Sequence, residues 1–227
     1  MSNYLSVIYP EDSGNTYPEK FCKYISDRFF NAPMPDAKIL DVGVGKGIQL
    51  YYFCKHINAK GYGIDLYPDE NCIFETKICD FESEKLPYES DTFDFIFSKS
   101  VCEHIRNTSN FFDEIHRVLK PGGIFVCMTP DWISQMKNFY DDFTHVQPYT
   151  VKSLRNCMKV HNFDVKCAEY FYQLPFTWKY PFMKLFPFII SFLPDFFKWK
   201  TSDMSNTNDR KLIRFSKEKM ILAVGVK

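Results

Sequence analysis

Several things are missing from these 227 residues, and each absence narrows what the chain does. Net charge is one: 28 Lys+Arg balance 28 Asp+Glu. No positive excess answers the phosphates of a nucleic acid, so no nucleic-acid partner is expected. Paired cysteine motifs are another. The eight cysteines (22, 54, 72, 79, 102, 127, 157 and 167) include no C-x-x-C, and a chain of this length builds a core without covalent staples. They read as reduced thiols of a cytoplasmic protein, several in apolar segments where a free cysteine acts as a small hydrophobe. The opening Met-Ser-Asn-Tyr-Leu-Ser lacks the basic-then-apolar layout of a signal peptide. Long apolar runs are absent too. The aromatic-dense stretch from Tyr170 to Lys200 is interrupted by Pro181, Lys184, Pro187 and Pro194, short of the ~18–20 residues that span a bilayer. There is no internal repeat and no low-complexity linker, so residues 1–227 are expected to form a single domain.

Glycine is scarce, nine in all, yet three fall together in Ile39-Leu-Asp-Val-Gly-Val-Gly-Lys-Gly-Ile48. A short apolar strand runs into Gly43, Gly45 and Gly47, with Asp41 just before them. Alternating glycines let the backbone turn sharply, take positive φ and approach a ligand with no Cβ in the way. A helix is predicted from about Lys46. Around this loop, apolar periodicity predicts a helix over Tyr17–Phe30, ended by Asn31-Ala-Pro-Met-Pro-Asp36, a buried strand over Lys38–Val42 and a helix over Ile48–Lys55. Further strands are predicted at Gly61–Tyr67, Cys72–Cys79, Phe93–Ser98 and Ile124–Met128, with a helix over Thr108–Leu119 stopped by Lys120-Pro-Gly-Gly. Two last strands are predicted at Phe163–Tyr172 and Met220–Val226. Strands alternating with helices imply an α/β fold with a mostly parallel sheet covered on both faces.

The loop resembles the cofactor loop of class I S-adenosylmethionine (SAM)-dependent methyltransferases. A dinucleotide site prefers G-x-G-x-x-G, whereas here the third glycine arrives one residue early. Later segments continue the likeness in order. Leu86-Pro-Tyr-Glu-Ser-Asp-Thr-Phe-Asp-Phe-Ile96 resembles the family stretch L-P-F-x-D-x-S-F-D-x-V, and Ser98-Lys-Ser-Val-Cys-Glu-His-Ile105 its continuation. Leu119-Lys-Pro-Gly-Gly-Ile-Phe-Val126 matches the turn into strand five. The resemblance covers about residues 37–130. It implies a Rossmann-like fold with a seven-stranded sheet and an antiparallel last strand, SAM as cofactor and S-adenosylhomocysteine as product. It also implies cofactor contacts from Asp41, Gly43, Gly45, Gly47, Asp65, Leu66, Asp80, Phe81 and Ser98. Asp65, at the end of strand two, suits two ribose hydroxyls, a role shared with NAD sites. Asp80 and Phe81 stand where the family binds adenine; a surface Asp in an acidic stretch is the rival reading.

Glu103 and His104 should border the crevice at the carboxyl end of strand four. Beyond strand five, Tyr140-Asp-Asp-Phe-Thr-His-Val-Gln-Pro-Tyr-Thr-Val-Lys-Ser-Leu154 resembles the D-x-T-H-x-x-P-x-T-x-x-S-L segment of methyltransferases associated with polysaccharide clusters. That likeness implies a sugar or glycan acceptor and O-methylation. A neutral imidazole takes a hydroxyl proton and a carboxylate orients it. His145 is therefore the candidate base, Asp142 its helper and His104 the substitute. The alternatives are a loop organised by Asp-x-x-His, or a metal held by Asp131, Asp142 and His145, although no metal is expected. A small-molecule, lipid or quinone acceptor, and a SAM-binding partner protein without catalysis, also stay open. The aromatic insertion at about 174–210 reads first as lid and core packing. Peripheral membrane contact through 174–200, with Lys179, Lys184, Lys198 and Lys200 as flanking cations, comes second, and a dimer interface third. Ser202 to Asp209 reads as a polar loop.

Overall fold

The computed structural model of the chain describes residues 16–30, 34–200 and 209–227. The leading hexapeptide, Asn31-Ala-Pro33 and most of the polar run from Ser202 lie outside the described residues.

Helix α1 (Tyr17–Phe29) carries Pro18 in its first turn, where a missing N–H costs nothing, and buries Phe21, Cys22 and Ile25. Strand β1 (Lys38–Val42) ends in the glycine loop, and α2 (Ile48–Ile57) follows from Gly47. Strands β2 (Lys60–Asp65), β3 (Thr76–Ile78) and β4 (Phe93–Lys99) come next. Then α3 (Thr108–Val118) leads into β5 (Leu119–Pro130). The short α4 (Trp132–Gln135) and α5 (Val151–Val160) precede β6 (Asp164–Phe171). Between β6 and the final strand β7 (Met220–Val226) lie α6 (Pro175–Lys179), α7 (Leu185–Ile190) and α8 (Lys211–Lys217).

The seven strands form one sheet in the order β3-β2-β1-β4-β5-β7-β6. β1 to β5 pair in parallel, and β7 runs antiparallel to both neighbours. This is the sheet the resemblance implies. Two expected strands differ in extent. β3 is only three residues long, and β5 reaches back to Leu119 because Leu119 pairs with Phe93 before the register shifts at the Pro-Gly-Gly turn.

Alternation along the strands sends side chains to two cores. Ile39, Phe95 and Phe97 face α1 and α2, packing with Phe21, Leu50 and Phe53. Leu40, Val42 and Ile96 face α3 and α5, packing with Phe112, Ile115, Leu154 and Met158. Each fully buried large side chain contributes about 1.5–3 kcal/mol. Strand order reverses between β1 and β4, where Val42 lies opposite Ser98. At such a switch point the loops beyond the carboxyl ends diverge and leave a crevice.

Candidate functional site

Gly43, Gly45 and Gly47 have φ of 79°, 50° and 76°, the left-handed region that side chains enter only with strain. They differ in what surrounds them. A Cβ on Gly43 would stand 2.3 Å from Val101 Cγ2, and one on Gly47 2.9 Å from Phe74, whereas one on Gly45 would meet nothing within 4 Å. Gly43 thus lets the turn after β4 pack against the loop. Gly45 presents bare backbone to open space, a cradle that a ligand fills.

Asp65 accepts from the N–H of Gly45 at 3.0 Å and of Tyr67 at 2.9 Å, one to each carboxylate oxygen. Each oxygen keeps a lone pair for a hydroxyl donor. Burial raises its pKa, and the backbone N–H groups of Gly45, Tyr67 and Leu66 pull against that rise. Asp41 is buried at the end of β1; burial and then the charge of Asp65 push its carboxyl up, against the pull of Lys99. Leu66 is exposed beside the loop.

Three other sequence candidates are engaged elsewhere. Asp80 accepts from the Glu82 N–H and the Ser83 hydroxyl within its own turn. Phe81 is buried edge-on against Phe111, because an apolar ring at that position completes the core under α3. Ser98 is buried and its hydroxyl donates to the Val42 carbonyl at 3.2 Å, joining β4 to β1.

The second half of the site gathers on the turn Cys102–His104 after β4 and on the segment that follows α4. The Glu103 carbonyl accepts the N–H of Val146 and of Gln147, both at 2.9 Å. These bonds hold His145 beside His104, with ring centres 4.7 Å apart. The Glu103 side chain is fully buried. One oxygen accepts from the Thr129 hydroxyl at 3.0 Å and the other, Oε1, has no protein partner. Burial pushes its pKa up to about 7.

Hydrogen bonds fix both imidazole tautomers. His145 Nδ1 lies 2.6 Å from the Phe139 carbonyl, which only accepts, so Nδ1 carries the proton. Thr144 donates its one hydroxyl proton to Asp142 at 2.6 Å and contacts His104 Nδ1 at 2.9 Å, so His104 Nδ1 is also the donor. With Nδ1 as the donor, Nε2 is the nitrogen that carries the lone pair in the neutral form of each ring. Burial, then the neighbouring His145, lower the pKa of His104. Asp142 Oδ2 lies 3.8 Å from His145 Nε2.

Of the alternative metal trio Asp131, Asp142 and His145, the last two lie 3.8 Å apart, but Asp131 is engaged elsewhere. It caps α4 through the Ser134 N–H at 2.8 Å. What gathers is Glu103, His104 and His145, whose ligand atoms all lie within 4.8 Å of one another. Sequence reasoning passed over Thr144, although it sits inside the D-x-T-H motif. Lys99 was missed altogether: it lies between Asp41 and Glu103, and burial lowers its pKa. No motif marks it.

The insertion divides in two. Trp178 stacks on Phe171 and Tyr24, closing the core. Beyond it Phe182, Leu185, Phe188, Ile189, Phe192 and Phe196 are exposed, Phe182 at 79% and Phe192 at 74%. Lys198 is not an exposed cation; it is buried in an ion pair with Glu218 at 2.9 Å. All eight cysteines are free, and Cys102 and Cys127 share a thiol hydrogen bond at 3.8 Å without forming a disulfide. No helix among the described residues is long and apolar enough to cross a membrane.

The family model described as "Methyltransferase domain" matches residues 15–168. Phosphoethanolamine N-methyltransferase 2 of Caenorhabditis elegans is 24% identical over 139 residues, 56% of this chain and 32% of that protein. 24-methylenesterol C-methyltransferase 3 of Arabidopsis thaliana is 30% identical over 122 residues, 49% of this chain and 33% of that one. The chain therefore spans about a third of the length of these curated relatives. A solved structure of Haemonchus contortus phosphoethanolamine N-methyltransferase 2, in complex with phosphomonomethylethanolamine and S-adenosylhomocysteine, superposes with a TM-score of 0.60. It is 17% identical and the alignment covers 90% of this chain and 52% of that one.

Proposed function

The chain belongs to the methyltransferase-domain family, and from that premise we propose that it is a SAM-dependent methyltransferase acting on the hydroxyl of a sugar, in a glycan or its precursor. One observation carries the reading: Val101, packed against Gly43, binds the turn bearing Glu103 and His104 to the glycine loop. The glycine loop and the Glu103–His104 turn are thus neighbours, which supports one site for cofactor and acceptor.

Loop 43–47 would hold the amino-acid end of the cofactor with its backbone dipoles, and Asp65 would take the ribose hydroxyls on its remaining lone pairs. Asp41 and Leu66 flank that position; Asp80 serves the adenine only if its turn opens. When bound, SAM supplies the electrophilic methyl group and the thioether that leaves. The chain's own residues do the rest. A sugar hydroxyl is a weak acid, so its proton must be taken as the new bond forms. His145 and His104 both present unprotonated Nε2 atoms for this, and Asp142, hydrogen-bonded through Thr144 to His104, stabilises the charge that builds up.

The relatives act on nitrogen and on carbon, judged by their names, so the family leaves the acceptor atom open. The sugar reading rests instead on the segment Asp142–Ser153. A second reading, a lipid or quinone-like acceptor, is favoured by the exposed apolar surface from Phe182 to Phe196. Methyl incorporation from labelled SAM into saccharides, phenols and lipids separates the two, and transfer to phenols or lipids alone removes the sugar. Calorimetry with S-adenosylhomocysteine against NAD tests the cofactor. Tight S-adenosylhomocysteine binding with no turnover on any acceptor would instead identify a binding protein without catalysis.

A further inference from the structure

We infer that Glu103, His104 and His145 form a binding site for a divalent first-row metal ion. The site's use in methyl transfer rests on the reading above; its existence does not. Three independent features support it. The ligand atoms gather within 4.8 Å, whereas ligands about 2.0–2.2 Å from one tetrahedral zinc ion stand about 3.4 Å apart. Loading therefore draws them together by up to about 1.4 Å. Next, both rings already hold the tautomer a metal needs. Each Nδ1 donates to an oxygen, His145 to the Phe139 carbonyl and His104 to Thr144, which is anchored on Asp142. Metal-bound histidines are held this way, with the second nitrogen fixed by a carbonyl or a carboxylate relay.

The third feature is Glu103 Oε1, a fully buried carboxylate oxygen without a protein partner. Such an atom is rare in a folded chain and destabilising. A cation bound through Oε1 would remove that cost. Two imidazoles with one carboxylate favour zinc, manganese or cobalt over magnesium, which prefers oxygen ligands and retains water. Three protein ligands leave coordination open for an acceptor oxygen. In the loaded protein the imidazoles then serve as ligands rather than bases. A bound ion would make an acceptor hydroxyl more acidic, and Asp142, 3.8 Å from His145, is the carboxylate that would take its proton.

The test uses the whole chain stripped with a chelator. Calorimetry with Zn²⁺ should show one saturable site, and Co²⁺ should give visible absorption bands of a nitrogen–oxygen site without the sulfur-to-cobalt band that cysteine ligands produce. Glu103→Gln and His145→Gln should each weaken Zn²⁺ binding by at least about tenfold, with S-adenosylhomocysteine binding retained as proof of folding. Absence of saturable binding overturns the site, as does binding unchanged in both variants or a thiolate band. If the wild-type chain binds zinc but not S-adenosylhomocysteine, the methyl-transfer reading fails while the metal site stands.

Discussion

Gly43 and Gly45 share a backbone conformation but not an environment, and alanine at each should separate folding from binding. Gly45→Ala adds a methyl group to open space, so the left-handed φ alone costs about 1–2 kcal/mol. The fold should survive while S-adenosylhomocysteine affinity falls at least tenfold by calorimetry. Gly43→Ala adds a clash with Val101 to the same strain. It should cost more stability and displace the Glu103–His104 turn, lowering both affinity and melting temperature. Asp41 offers a pH test. Burial raises its carboxyl above the ordinary value of 3.8, so between that value and the raised one the folded state binds more protons than the unfolded. Stability from this group therefore falls as pH rises through the window, and the ionisation penalty is fully present above it. Asp41→Asn should flatten the melting profile on the acid side and melt higher than wild type at alkaline pH. A parallel downward offset at all pH values would show that the carboxylate is not the source.

At the scale of elements, the buried ion network behind the insertion makes a sharp prediction. Glu218 accepts from Lys198 at 2.9 Å and from Arg214 at 2.7 Å, and Arg214 also pairs with Asp209 at 2.8 Å. Glu218→Ala strands the buried Lys198 ammonium and should cost about 3–5 kcal/mol in denaturant unfolding. The pair Lys198→Met with Glu218→Leu should recover most of that loss; equal losses would mean the network is not a coupled unit. Nothing in sequence spacing announces it, because Lys198 and Glu218 are twenty residues apart and lysine reads as a surface residue. Other elements were legible for a physical reason. β1, β4 and β7 have β-rich apolar runs bounded by turn residues, and their observed spans, Lys38–Val42, Phe93–Lys99 and Met220–Val226, sit within a residue of the periodicity. β3 is an edge strand of three residues with exposed Lys77 and Ile78, too short to carry a period. The site divides the same way. Glycines 43 to 47 and Asp65 are adjacent to a strand end, where position follows from the fold. The meeting of Glu103 with His145 depends on two backbone hydrogen bonds across forty residues, which no local pattern encodes.

For the whole molecule, the exposed apolar surface from Phe182 to Phe196 needs an occupant, since isolated exposed rings are common but a contiguous cluster is not. A bilayer interface fits it best. Large rings point outward without forming a spanning helix, and exposed Lys179, Lys184 and Lys200 border them. Each ring inserted gains about 1.5–3 kcal/mol, and each lysine near an anionic headgroup adds about 1 kcal/mol. Vesicles containing phosphatidylserine should therefore sediment the chain, and less of it at high salt, where the lysine contribution is screened. Phe188→Asp with Phe192→Asp should abolish sedimentation while leaving the melting temperature unchanged, because both rings are exposed and carry little of the core. If the wild-type chain ignores vesicles and elutes as a dimer that this double variant dissociates, the surface covers a second copy instead. The same vesicles bear on the acceptor. If the acceptor is the proposed saccharide and the chain docks on vesicles, a lipid-linked saccharide should be methylated faster in vesicles than its free head group in solution, and the double variant should erase that difference without slowing transfer to the free head group.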